Sequence, residues 1–490
     1  MDKKKKSLRI FLYAVIFLLS VSLLLHVKST NAQYICAQNQ LRVALALNVT
    51  SGEFTISQGE FDLIDYLTQK TIGSGNASGT WRVIPVGSQN IQLSSNTAVI
   101  EGLSSSMILL RPKNDDQLSL FRYKGKSYRG SLLITNVNGV LHFINVVDLE
   151  QYLYSVVISE MGTGAHIEAY KAQAVVSRTY AIYYKKNPQL YYDVGITQQW
   201  QVYGGYESEM AGGPSVRQAV DETKGLAVYY DDEVIQAFFH SNSGGYTESS
   251  ENVWYADLPY IRPMYTPEDK HALEVQQSGE WPAISYQWEK SFTKSELNEH
   301  IRQWNSNNPQ EKVEVGDIAD IRTQRYAIDP ETRQSLGQET KSGRVTQLDF
   351  VGIGGSIKSF FRDRIRSVLG LRSTLFKVQF DSEISILDAY NSVTTISQAI
   401  DIKAITVDGT IEGLNGSSPE YYVLSGSALQ KVPKKYSKVI FIGKGYGHGL
   451  GMSQWGARGM ALSGKGYREI IEHFYNQNYY DGRLTVKLCV

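Results

Sequence analysis

The stretch SLLITNVNGVLHFINVVDLEQYLYSVVISEMGTGAHIEAYKAQAVVSRTYAIYYK, residues 131–185, changes its hydrophobic period part-way along. Ser131 to Val137 and Val140 to Val146 are short β-rich runs, and Asn138-Gly139 between them is a hairpin signal. Asp148 can then cap a helix whose apolar stripe is Leu149, Tyr152, Leu153, Val156 and Val157. That helix should end near Glu160 and Met161, because Gly162 and Gly164 follow. A second, Ala-rich helix is expected from about Ile167 to Lys185, closed by Pro188.

On the N-terminal side, Leu41 to Leu47 and Trp81 to Val86 read as strands. On the C-terminal side, Gly225 to Tyr230 and Val234 to Phe239 are strands around a turn at Asp231-Asp232. Residues 268–345 are more polar and read as an insertion, with a helix from Ser295 to Trp304. Residues 346–380 read strand, helix, strand. The end of the chain has a strand at Val439 to Ile442, a Gly-rich loop, and a helix from about Ser453 to Tyr475. The expected class is α+β, mixed and β-rich, with a compact helical pair and a groove lined by Gly-rich loops. The expected segments are 1–32 as a signal peptide or membrane anchor, 33–130 as a β-rich region, 131–267 as a core, 268–345 as the insertion, and 346–490 as the remainder of the core.

Lys plus Arg and Asp plus Glu are equal at 49 each, which removes the electrostatic case for a nucleic-acid partner. With 42% hydrophobic and 20% charged residues over 490 positions, the chain can bury a sizeable core and is not disordered as a whole. Lys3 to Lys6 and Arg9 precede an almost unbroken apolar run from Ile10 to Leu25, and Thr30-Asn31-Ala32 has the small residues of a cleavage site. This reads as an export signal, either cleaved or kept as an anchor, that places the remainder outside the cytoplasm. In an oxidising compartment Cys36 and Cys489 could join the two ends; two unrelated thiols is the plainer alternative. Two Cys residues exclude a Cys-rich zinc site.

Glu160 stands where one helix ends at a glycine-broken bend. The negative end of the helix dipole and partial burial would both favour its protonated form, as protonation of a glycosidic oxygen requires. By position alone it could also be a solvated carboxylate. Arg178 could orient a carboxylate, bind a sugar substituent, or form a structural ion pair. His240-Ser241-Asn242-Ser243-Gly244-Gly245-Tyr246-Thr247 enters a small polar loop suited to a sugar or a water, or a plain glycine turn. Gly443 to Ala457 alternates Gly with other residues and offers His448, Gln454 and Trp455; it either lines a groove or packs tightly. Its spacing fails both phosphate-loop patterns. No His-Glu-x-x-His or Gly-x-Ser-x-Gly is present, and Ser291-x-x-Lys294 lacks its companion motifs.

Together these pieces narrow the choice. Asn145-Val146-Val147-Asp148-Leu149, Ser159-Glu160-Met161, Lys171-Ala172-Gln173-Ala174-Val175 and Ser177-Arg178-Thr179-Tyr180-Ala181 closely resemble the core of the SpoIID/LytB family. The His240 to Thr247 loop, Leu369 to Phe376, and the Gly445 to Ala457 loop resemble its later elements in order. The resemblance implies an exported protein acting on peptidoglycan. It implies either a lytic transglycosylase of the sporulation branch, with Glu160 as catalytic carboxylate, or a non-catalytic enhancer of a wall amidase. Glycan contacts would then fall to Arg178, His240, Ser243, Thr247, His448 and Gln454. Some members bind zinc through His and Cys near the second element; Ser241, Asn242 and Ser243 offer no thiolate here, so no metal and no cofactor is expected. A hydrolase would need a second carboxylate, for which Glu168, Asp193 and Glu248 are the candidates.

Overall fold

The structure is a computed structural model. It describes residues 39–489 except 77–78, 96–98, 104, 115, 198, 255, 276–280, 383, 388–389, 397–402, 406–410, 414–419, 426–427 and 434. The segment read as an export signal, residues 1–32, and Cys36 lie outside the described residues. Among the described residues no helix is long and apolar enough to cross a membrane. The fold is α+β, and the chain divides into two compact units: residues 1–237, 465–471 and 480–490 in the first, and 238–464 and 472–479 in the second.

The first unit is built on two sheets. A seven-stranded sheet has the order Val194–Gly195, Gln40–Val49, Val140–Asp148, Ser131–Val137, Met107–Pro112, Phe61–Asp65, Lys70–Gly75. Its 131–148 hairpin pairs Val137 with Val140, as the Asn138-Gly139 turn requires, and Asn138 takes φ 53° there. A six-stranded sheet includes Gly52–Gln58, Thr80–Val86 and Leu120–Tyr123. Tyr123 of the six-stranded sheet stacks on Phe143 of the seven-stranded one, ring centroids 4.6 Å apart.

Three helices follow the hairpin: α1 (Leu149–Met161), α2 (Ile167–Lys186) and α3 (Tyr206–Glu222). Asp148 caps α1 as expected, accepting from the backbone N–H of Glu150 and Gln151. The Gly162 N–H closes its end by donating to the Ile158 carbonyl. His166 caps α2. The sequence reading did not include α3, because its Gly212-Gly213-Pro214 reads as a breaker. The backbone does kink there, with Gly213 at φ 65°, yet α3 packs against α1 and α2. A small sheet pairs Leu226–Tyr230 with Leu484–Leu488.

In the second unit, Gln287–Thr293, Lys438–Lys444 and Phe376–Phe380 form one sheet, and Ile318–Gln324, Gln347–Gly352 and Ile357–Phe361 another. The helix Lys294–Asn307 starts at a Thr293–Glu296 capping box. Its Leu297 and Ile301 share one apolar core with Trp288, Ile321, Leu348, Phe350, Ile365 and Phe441. The stretch read as an insertion therefore supplies part of this unit's interior. The helix expected from Ser453 to Tyr475 is two helices, Gln454–Leu462 and Tyr467–Asn476. Gly464, at φ 86°, and Gly466 break it.

Candidate functional site

Glu160 occupies the last turn of α1 and is half-buried. Its Oε1 accepts a 2.7 Å hydrogen bond from the backbone N–H of Val202. Val202 lies in a strap, residues 200–205, that runs from a turn into α3. The strap is pinned beside Glu160 by neighbouring contacts. Gln201 is fully buried; its Oε1 accepts from the Tyr152 hydroxyl at 3.2 Å and its Nε2 donates to the Ser177 carbonyl at 3.2 Å. The Gly204 N–H donates to Ser155 Oγ, and the Tyr203 hydroxyl donates to Asn145 Oδ1 at 3.0 Å. Gly204 has no room for a side chain, because a Cβ there would lie 1.9 Å from Ser208 Oγ and 2.8 Å from Ser159 Oγ.

Two buried phenols lie near enough to Glu160 to feel its charge. Burial holds Tyr152 well above the usual phenol pKa, with smaller contributions from Tyr203 and from the Glu160 charge. Burial raises Tyr180 likewise, followed by Tyr184, Tyr152 and Glu160. Both phenols stay protonated, and the Tyr152 hydroxyl is committed to Gln201.

Arg178, in α2, is turned inward. Its side chain is 0% exposed and forms a bidentate pair with Glu150, Nε to Oε1 at 2.9 Å and Nη2 to Oε2 at 2.6 Å. It also donates to the carbonyls of Leu226 and Val220. This guanidinium ties α1 and α2 to the strand after α3.

The other expected site residues lie in the second unit. The parallel strands Phe239–His240 and Met452–Ser453 bring the His240 loop and the Gly-rich loop side by side, with a further bridge between Asn242 and Tyr446. Asp269 joins them, buried, accepting from Ser243 Oγ, from Ser453 Oγ at 2.5 Å and from the Gly245 N–H at 3.0 Å. Burial raises the Asp269 pKa despite these donors. Arg344, also buried, donates to the Ser243 carbonyl at 2.8 Å. The Gly-rich loop is a packing device. A Cβ at Gly447 would lie 2.8 Å from His240 Cβ, and one at Gly451 would lie 2.0 Å from the Phe238 carbonyl oxygen.

His240 and His448 are neighbours, ring centroids 5.5 Å apart, with Trp254 4.9 Å from His448. Burial holds His240 well below the ordinary imidazole pKa, aided by His448 and Arg344. His448 is lowered to about 3 by burial and then by Arg366 and Arg344. Thr247 is internal; it donates to the Arg262 carbonyl and accepts from the Met264 N–H. Gln454 is the buried first residue of its helix. Among the described residues no group of three His, Cys, Asp or Glu is placed to hold a metal ion.

The sequence reading missed Gln201, Val202 and Asp269. Val202 acts through its backbone, which no residue type announces, and Asp269 lies in a polar run without a pattern.

Residues 137–230, which hold the turn and second strand of the hairpin, α1 to α3, Glu160 and the strap, match the family model of the stage II sporulation protein SpoIID. Over this segment the chain is similar to the stage II sporulation proteins. It is 27% identical over 358 residues to an uncharacterized protein of Brachyspira hyodysenteriae, covering 73% of each chain. It is 26% identical over 396 residues to the amidase enhancer of Bacillus subtilis, covering 79% of this chain and 49% of that one, about half its length. It is 25% identical over 347 residues to the stage II sporulation protein D of Bacillus amyloliquefaciens, covering 68% of this chain and 74% of that one. The pairwise similarity to these relatives thus extends beyond residues 137–230.

Proposed function

We propose that this protein is an exported lytic transglycosylase of peptidoglycan. The observation that carries the reading is Glu160: a half-buried carboxylate at a helix end, oriented by the Val202 N–H, with two buried, protonated phenols within reach of its charge. In this mechanism the Glu160 carboxyl protonates the oxygen between N-acetylmuramic acid and N-acetylglucosamine. The bond from that oxygen to the muramic C1 breaks, and positive charge develops at C1. The Glu160 carboxylate then takes the proton of the muramic C6 hydroxyl, whose oxygen bonds to C1. The products are a 1,6-anhydro end and a free hydroxyl on the leaving sugar, with Glu160 protonated again. No water and no second carboxylate take part.

The surroundings of the other acids favour this over hydrolysis. Asp193 is held by Arg42, whose Nη2 lies 2.8 Å from Oδ1 and whose backbone N–H lies 2.8 Å from Oδ2. Glu168 accepts from Lys171 and from the Tyr467 N–H, each at 2.8 Å. Glu248 is buried in the second unit and accepts from Ser342, Asn252 and the Ser249 N–H. Each of the three is committed to internal partners.

The amidase-enhancer name carried by one relative supports a second reading, in which the protein binds wall glycan and stimulates an amidase. Incubating pure protein with peptide-free glycan strands, followed by mass spectrometry, separates the two. Anhydro ends that disappear in Glu160→Gln are expected. An unchanged rate in Glu160→Gln would remove Glu160 from the chemistry. Inert wild-type protein that accelerates a wall amidase would establish the enhancer reading instead.

A further inference from the structure

The strap that orients Glu160 begins at Trp200, and Trp200 is the centre of an aromatic row. Tyr180 and Tyr184 of α2 lie with ring centroids 4.7 Å apart, Tyr184 and Trp200 4.8 Å apart, and Trp200 and Tyr192 6.1 Å apart. The last two contacts are edge-on, at 70° and 75°. Tyr180 is buried, whereas Tyr184, Trp200 and Tyr192 are only half-buried. The row therefore starts in the interior and comes to the surface.

This placement is held from three sides. The indole lies on the strand Val194–Gly195, where a Cβ on Gly195 would fall 2.7 Å from Trp200 Cδ1. The Trp200 N–H closes a turn onto the Thr197 carbonyl at 2.8 Å. Gln201, the next residue, is fully buried and bonded at both ends of its amide. Two residues of extended chain span about 7 Å, so Trp200 stands within one or two sugar rings of the Val202 N–H that holds Glu160. Polar groups edge the row: Gln236 Nε2 donates to the Tyr184 hydroxyl at 2.7 Å.

We propose that Trp200, with Tyr184 and Tyr192, is a saccharide subsite that receives the amino-sugar rings next to the bond cut at Glu160. Half-exposed aromatic rings stack on the apolar C–H faces of pyranoses, and their hydroxyl and N–H edges bond the sugar hydroxyls. The pinned strap makes the subsite and the acid one rigid body. A strand seated on Trp200 is thereby in register with Glu160. This inference rests on the transglycosylase reading of Glu160.

The test uses the full chain in a Glu160→Gln background, which stops cleavage, and measures calorimetric binding of peptide-free oligosaccharides of alternating N-acetylglucosamine and N-acetylmuramic acid. Loss of one stacked ring should weaken binding roughly tenfold in Trp200→Ala. Trp200→Phe should recover most of it, and Tyr192→Ala, on the half-exposed end of the row, should weaken it severalfold. In the otherwise wild-type chain, Trp200→Phe should raise KM more than it lowers kcat. Binding unchanged within twofold in both Trp200→Ala and Tyr192→Ala overturns the subsite and leaves the role of Glu160 standing. No glycan binding by the Glu160→Gln chain at all overturns the subsite together with the reading beneath it.

Discussion

Arg178→Met tests whether this arginine serves the interior or a ligand. The substitution keeps most of the side-chain volume and removes the guanidinium. It leaves the Glu150 carboxylate, 7% exposed, with the Gly225 N–H at 3.1 Å as the donor to its Oε1. Orphaning one partner of a buried ion pair costs about 3–5 kcal/mol. At about 2–4 °C per kcal/mol for a unit of this size, the melting temperature of the first unit should fall by roughly 10 °C. Removing both charges, in Arg178→Met with Glu150→Gln, should restore most of the loss, because the desolvation of two charges also disappears. Calorimetric melts of the single variants and the double variant give the coupling directly. If Arg178→Met melts within about 1 °C of wild type and instead loses affinity for glycan, the guanidinium faces a ligand and the reasoning here is wrong.

Asp269→Ala leaves Ser243 Oγ, Ser453 Oγ and the Gly245 N–H without their shared acceptor. The second unit should lose about 3 kcal/mol or more, seen as a lower urea midpoint. An unchanged midpoint would show that the two loops hold together without it. His473 sets a pH dependence. Burial lowers it to about 4, and its ring nitrogens face Thr266 Oγ1 and Asn478 Nδ2 at 3.2 Å. The folded state then binds fewer protons than the unfolded one between about pH 6.5 and 4, so this stabilisation is complete above 6.5 and falls with pH, by about 3 kcal/mol in full. Glu248 and Asp269, raised by burial, act in the opposite sense, so the comparison is between His473→Gln and wild type: the variant should lose less stability from pH 7 to pH 4.5. Parallel stability curves for the two proteins would refute the assignment.

Much of the first unit was legible because its signals are local. The Asn138-Gly139 turn, the Asp148 cap, the apolar stripe of α1 and the glycines after Met161 each act within a few residues, and each element formed where they point. The break at Gly464 and the presence of α3 were misread for a related reason. A glycine pair ends one helix and only kinks another, and packing of α3 against α1 and α2 decides which.

The sequence by itself determined the α+β class, the helical pair, the position of Glu160 at a helix end and the resemblance to the stage II sporulation proteins. Only the tertiary structure decided what those residues touch. It turned Arg178 inward onto Glu150, 28 positions away, and brought the Val202 N–H onto Glu160 from 42 positions away. It gave Ser243 and Ser453, 210 positions apart, one buried carboxylate in Asp269. The physical reason is range. Caps, turns and hydrophobic period are written between neighbours, whereas a buried charge or a backbone N–H finds its partner only when the chain has closed around it.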